Sequence, residues 1–188
     1  MKTLVLVDFD RTLYKKDSLL EFTKFYKGKF NFYIGIVYLS RVLILMKLNL
    51  ITNEKAKKKY FSYFFKNENY DEFVNLGNQF AKDKIPLHLN RKIISDLQEH
   101  LSKNHTIYIV TASFPEWIFN WAVPMNINVI GTIMEVKNNK ITGEFTTKNC
   151  NGIEKVNRIL NEINISDFEK IHVYGNGKGD TEMLKMKT

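Results

Sequence analysis

One cysteine, three prolines and nine glycines in 188 residues set the first limits. Cys150 stands alone, so neither a disulfide framework nor a cysteine zinc site can hold the chain, and a reducing compartment is expected. The opening Met1-Lys2-Thr3 runs straight into an apolar segment. It lacks the basic region, long apolar stretch and small-residue cleavage site of a secretory leader, which predicts a cytoplasmic protein. Lys and Arg number 28 against 20 Asp and Glu, a formal charge of +8. That balance favours anionic partners, but there is no dense basic stripe, and no nucleic-acid partner is expected. His88, His100, His105 and His172 show no metal-ligand spacing. The Gly175–Gly179 stretch has neither the Gly-Lys-Ser/Thr ending of a nucleotide loop nor the spacing of a dinucleotide fingerprint. The most apolar segment, Phe30 to Leu50, is interrupted by Arg41 and Lys47, and its charge-free part, Phe30 to Ser40, is well short of the ~20 residues a membrane span needs.

What is present is core-forming material: 44% hydrophobic and 13% aromatic residues, enough for one domain with a small insert. Thr3 to Phe9, residues 106–111 and residues 170–174 are short apolar runs, each ending at small or polar residues that open a helical stretch. The first reads as a central parallel strand buried on both faces. Three such junctions predict an α/β fold, a doubly wound and mainly parallel sheet with its chemistry at the carboxyl ends of the strands. Residues 1–14 and 85–188 form this core. Residues 15–84, without proline and with apolar residues at helical spacing, read as a helical insert. Helices are expected near 86–103, from Pro115 and over 153–163. Residues 126–147, two alternating runs around an Asn-rich turn, read as a β-hairpin.

The first strand ends in Asp8-Phe9-Asp10-Arg11-Thr12-Leu13. Two carboxylates this close at the end of a buried strand repel one another and need a cation, which Mg2+ beside a phosphate would supply. The second strand ends in Thr111-Ala112-Ser113, a hydroxyl and free backbone N–H groups at a helix start, suited to an anionic oxygen. Lys155, near a helix start, can neutralise a carboxylate and a phosphate together. The third strand ends in a glycine-rich loop carrying Asn176 and Asp180.

In this order the four pieces resemble the haloacid dehalogenase-like superfamily, most closely its phosphoserine-phosphatase-like branch, in which a helical cap lies between the first and second motifs. The resemblance implies a Mg2+-dependent phosphatase that hydrolyses a phosphomonoester through an aspartyl-phosphate. By it Asp8 is the nucleophile and Asp10 the general acid and base. Thr111, Ala112 and Lys155 hold the phosphoryl group, while Asp8, Asp10, Asn176 and Asp180 hold Mg2+. Asn176 stands where the family more often has Asp, which weakens the metal shell by one charge. Relatives also usually continue into another strand after Asp180.

Asp17 lies where phosphoserine-specific relatives place an acidic substrate contact, and equally where a helix N-cap belongs. Arg41 can grip a substrate anion or extend from an apolar helix into solvent. Trp117 and Trp121, four apart, read as core. From Phe32 to Leu48 the insert is apolar on nearly every side, so part of that surface should meet a substrate's apolar group, a second subunit in a homodimer, or lipid at a membrane surface. The partner expected first is a phosphorylated small molecule. The competing reading is a catalytically weak phosphate-binding or membrane-surface protein that keeps the fold.

Overall fold

A computed structural model describes residues 2–188. In chain order, β1 (Thr3–Val7) is followed by α1 (Ser18–Tyr38), α2 (Ser40–Lys47), α3 (Asn53–Phe65), α4 (Tyr70–Asp83) and α5 (Arg91–Ser102), which returns to β2 (Thr106–Val110). After α6 (Phe119–Ala122) come β3 (Ile127–Ile130), β4 (Met134–Lys137), β5 (Lys140–Phe145), α7 (Ile153–Glu162), β6 (Lys170–Tyr174) and α8 (Thr181–Leu184).

The main sheet has the order β3-β2-β1-β6, and every pairing in it is parallel. All five residues of β1 are buried, as a central strand covered on both faces requires. Its side chains alternate between two clusters. Leu4 and Leu6 pack with Ile159 of α7 and Met183 of α8. Val5 and Val7 pack with Ile107, Ile109, Leu97 and the aromatic residues of the helices between β1 and β2.

Those helices share one hydrophobic cluster with the sheet face rather than forming a separate globule. Phe22 of α1 stacks on Trp117, and Phe61 of α3 stacks on Phe114, each with ring centroids 4.5 Å apart. Such stacks add ~1 kcal/mol to the burial of the rings. On α4, a Cβ at Gly77 would come 2.7 Å from the Glu116 carbonyl oxygen, so only glycine permits this approach. Asp17, Thr52, Asn69 and Asn90 cap α1, α3, α4 and α5 by accepting from the backbone N–H of Leu20, Lys55, Glu72 and Lys92. Gly28, with φ +76°, breaks α1.

Three expectations need correction. Residues 126–147 are not one hairpin: Ile127 to Ile130 pair in parallel with Ile107 to Val110, extending the main sheet. Only β4 and β5 form the antiparallel pair, turned by Asn138 and Asn139, both at positive φ. As an edge strand half exposed to solvent, β3 shows the same alternation as a hairpin arm, so periodicity cannot separate the two. The helix expected over 86–103 is split into a 3-10 turn at Pro86–His88 and α5. That from Pro115 is a 3-10 turn followed by the single turn of α6. Among the described residues no single helix is long and apolar enough to cross a membrane; α1 and α2 meet at a 59° bend.

Candidate active site

The parallel sheet brings the ends of β1, β2 and β6 to one edge, where a cleft of about 700 Å3 opens beneath α1, α2 and α3. Asp8, Asp10, Asp17, Thr111, Ala112, Lys155, Asn176 and Asp180 all line it. Arg41 does not: it is exposed on α2, two residues and so about 200° around the helix from Leu43, which faces the cleft.

Asp8 follows the last residue of β1 and is anchored through its backbone N–H to the Tyr174 carbonyl, 2.9 Å away. Its Oδ1 accepts from Lys155 Nζ at 2.5 Å, and its Oδ2 from the Thr12 hydroxyl at 2.7 Å. The same ammonium reaches Asp180 Oδ1 at 2.7 Å. Burial holds the Asp8 carboxyl above its usual range, against the pull of Lys155. Burial also opposes the charge on Lys155, but Asp8 and Asp180 outweigh it and hold the ammonium above its ordinary value. The other Asp180 oxygen accepts from the backbone N–H groups of Asn176 and Gly177. Gly175 is obligatory here, because a Cβ would lie 2.7 Å from that of Asp180.

Asp10 is held differently. Its Oδ1 accepts from the Ser18 N–H at 2.5 Å and its Oδ2 from the Ser113 hydroxyl at 2.7 Å. The Ser18 and Ser113 hydroxyls lie 2.7 Å apart, and Trp117 Nε1 donates to Ser18 at 3.1 Å. Burial, with the Asp17 charge adding to it, pushes the Asp10 carboxyl up to about 7 despite these bonds. Two carboxylates two residues apart are thus set apart chemically: one sits against a lysine, the other in a hydroxyl network where it can carry a proton near neutrality.

Three residues without an assigned role join the site. Thr12 and Ser18 hold the carboxylates. Lys57 of α3 extends across the cleft to the Ala112 carbonyl and to Asn149 Oδ1, 2.9 Å away. Burial pulls the Lys57 ammonium down to about 7, against the attraction of Asp10. Thr12 is legible as part of the first motif. Lys57 lies in the run Lys55-Ala-Lys-Lys-Lys59, which reads as a solvated helix face, and nothing in its spacing sets it apart. Asp17 caps α1 and also pairs with Arg11 at 3.6 Å on the cleft rim.

The donor set suits a hard divalent cation. Asp8 and Asp180 stand on either side of Lys155 on the cleft floor, with Asp10 and Asn176 lining the same cleft, and all of these are the oxygen donors such a cation takes. Among the described residues no three His, Cys, Asp or Glu side chains come together as a metal-ligand group, so other oxygens must contribute. The Asp10 backbone carbonyl and the Asn176 amide oxygen are the further donors available. Asn176 Nδ2 is committed to the Arg11 carbonyl, which leaves Oδ1 as its acceptor for a cation.

A strand-end carboxylate pair, a strand-end Thr, a buried lysine and a glycine-rich acidic loop define a hydrolase class. The sequence model of the haloacid dehalogenase-like hydrolases matches residues 5–185, and the chain belongs to that family. It is 30% identical over 183 residues to protein CicA of Caulobacter vibrioides, covering 96% of this chain and 81% of that protein. A protein of unknown function from Bordetella pertussis Tohama I superposes with a TM-score of 0.82 at 18% identity, over 100% of this chain and 88% of that one. A phosphoserine phosphohydrolase-like protein from Francisella tularensis does so with a TM-score of 0.65 at 18% identity, over 99% and 83%. At these identities the two structures establish the shared fold.

Proposed function

We propose that this hydrolase is a Mg2+-dependent phosphatase that cleaves a phosphomonoester of a small molecule through an aspartyl-phosphate. The observation that carries the reading is the division of labour between Asp8, ion-paired with Lys155, and Asp10, protonatable near neutrality in its hydroxyl network, on one cleft floor. An Asp8 oxygen attacks phosphorus while Asp10 gives its proton to the departing alkoxide, so the alcohol leaves neutral. Asp10, now a carboxylate, takes a proton from water as that water attacks the phosphoryl group, which restores Asp8 and releases phosphate. Lys155 and the Thr111 hydroxyl, with the Ala112 N–H, hold the phosphoryl oxygens in place. The chemistry a bound Mg2+ supplies is neutralisation of Asp8 and phosphate so that the two anions can approach. Asp8, the Asp10 carbonyl, Asn176 and Asp180 would hold it.

Above the floor the cleft walls are apolar, with Leu20, Phe32, Ile36, Leu43 and Met46 facing inward. That lining favours a substrate with an apolar moiety beside its phosphate. The test is turnover of p-nitrophenyl phosphate with Mg2+ and with a chelator, in the parent and in Asp8→Asn. The expected result is metal-dependent turnover that falls at least ~10³-fold in the variant, with the circular dichroism spectrum unchanged. Metal-independent activity, or near-normal activity in Asp8→Asn, overturns the reading.

A further inference from the structure

The second half of α1 has two apolar faces. Phe32, Gly35 and Leu39 point into the protein and are buried. Phe30, Tyr33, Ile34, Val37 and Tyr38 follow the i, i+3, i+4, i+7, i+8 spacing of an amphipathic helix, yet this stripe points outward, with Phe30 78% and Val37 73% exposed. Across the 59° bend, Ile44, Leu48 and Leu50 continue the surface, Leu48 at 62% and Leu50 at 66%. A face this apolar and continuous is an interaction surface.

Charge identifies what covers it. Residues 22–53 contain no Asp or Glu and five cations: Lys24, Lys27, Lys29, Arg41 and Lys47. Lys24 and Lys27 are paired with Glu21 and Glu68. Lys29, Arg41 and Lys47 have no ion pair among the described residues. A second copy seated on this face through a two-fold axis would bring two sets of these cations together with no carboxylate to meet them. An anionic bilayer surface meets both features at once, taking the aromatic and aliphatic stripe at the headgroup boundary and the three cations against lipid phosphates.

We propose that the outer face of the α1–α2 elbow docks this protein on anionic lipid bilayers. The inner face of the same elbow supplies Phe32, Ile36, Leu43 and Met46 to the cleft, so docking sets the cleft beside the bilayer. Docking itself does not depend on the hydrolytic reading.

The experiment is sedimentation of the full chain with vesicles of phosphatidylcholine alone and of phosphatidylcholine with phosphatidylglycerol. Binding is expected to the anionic vesicles, to weaken with salt, and to fall at least about tenfold in Val37→Glu with Ile44→Glu and also in Lys29→Glu with Lys47→Glu. Turnover of p-nitrophenyl phosphate in solution is measured alongside and is expected to be unchanged in both variants, which separates failure of docking from failure of catalysis. Hydrogen exchange on the parent protein provides a readout free of substitutions: anionic vesicles should slow exchange over residues 30–48. Equal sedimentation with neutral vesicles, no sedimentation with either, or no protection of 30–48 overturns the proposal. So does a dimer in light scattering that Lys29→Glu with Lys47→Glu leaves intact while Val37→Glu with Ile44→Glu dissolves it, because a second copy then covers this face.

Discussion

Lys155, in the first turn of α7, lies 2.5 Å from Asp8, which is 147 residues earlier at the end of β1. With Asp180 at 2.7 Å on the other side, the ammonium is the one cation between two buried carboxylates, and the three side chains are at most 9% exposed. Its removal strands two like charges in a dry site. Lys155→Met, which keeps the stem and loses the charge, should destabilise the fold by about 3–5 kcal/mol at pH 7.5. The loss should shrink at pH 5, where Asp8, already above its usual range, protonates more readily. Urea unfolding at the two pH values checks this; an equal loss at both would mean that the carboxylates do not carry the penalty.

Asp10 offers a sharper test of the proposed acid role. Asp10→Asn retains an amide whose oxygen can accept from the Ser18 N–H and whose Nδ2 can donate to the Ser113 hydroxyl, but it has no acidic proton to give. Turnover of an alkyl phosphate should fall by about 10²–10⁴-fold, and the step that releases p-nitrophenol, which leaves well unprotonated, should fall far less. Burst kinetics separate that step from dephosphorylation. Equal losses in bond cleavage for both esters would remove Asp10 from the acid role.

The strand ends were legible in the sequence because a buried parallel strand is a continuous apolar run that stops where polar chemistry begins. Thr3 to Val7 with Asp8 and Asp10, and Lys170 to Tyr174 with the loop beyond, both have this form. The edge strand Ile127–Ile130 was not, since its neighbours decide whether alternation means a hairpin or a sheet edge. Lys57 was hidden for a related reason. Its partners, Ala112 and Asn149, lie 55 and 92 residues away, and only tertiary packing turns one lysine of a basic run into the cleft.

Lys57 therefore has a pH signature of its own. Its ammonium is pulled from 10.5 to about 7 in the folded chain by burial. Between those values the unfolded chain binds more protons, so this residue makes stability rise as pH goes from 7 towards 10.5. Lys57→Met should remove that rise. Of the two oxygens it leaves, the Ala112 carbonyl keeps the Thr132 hydroxyl as its donor at 2.7 Å. At pH 7 the variant should accordingly lose little or gain stability. Thermal melts of both proteins from pH 7 to 10 provide the measurement; parallel curves would show that the ammonium is solvated.

Glu116 carries the opposite slope. It lies in the turn against which Gly77 packs; its Oε1 accepts weakly from the Tyr70 hydroxyl at 3.4 Å, and its Oε2 is buried without a partner among the described residues. Burial pushes its carboxyl from 4.5 up to about 7. The folded chain binds more protons than the unfolded one between those values, so stability falls as pH rises from 4.5 to 7 and stays lowered above. At about 1.4 kcal/mol per pH unit, and allowing for partial exposure, the charge costs about 2 kcal/mol at pH 8. Glu116→Gln keeps the shape and an acceptor for Tyr70 without ionising. Its unfolding free energy should exceed that of the parent by that amount at pH 8 and match it at pH 4.5. A variant no more stable at pH 8 than the parent would mean that Glu116 stays protonated or finds water, and that its unpartnered oxygen imposes no pH-dependent burden on the α4 interface.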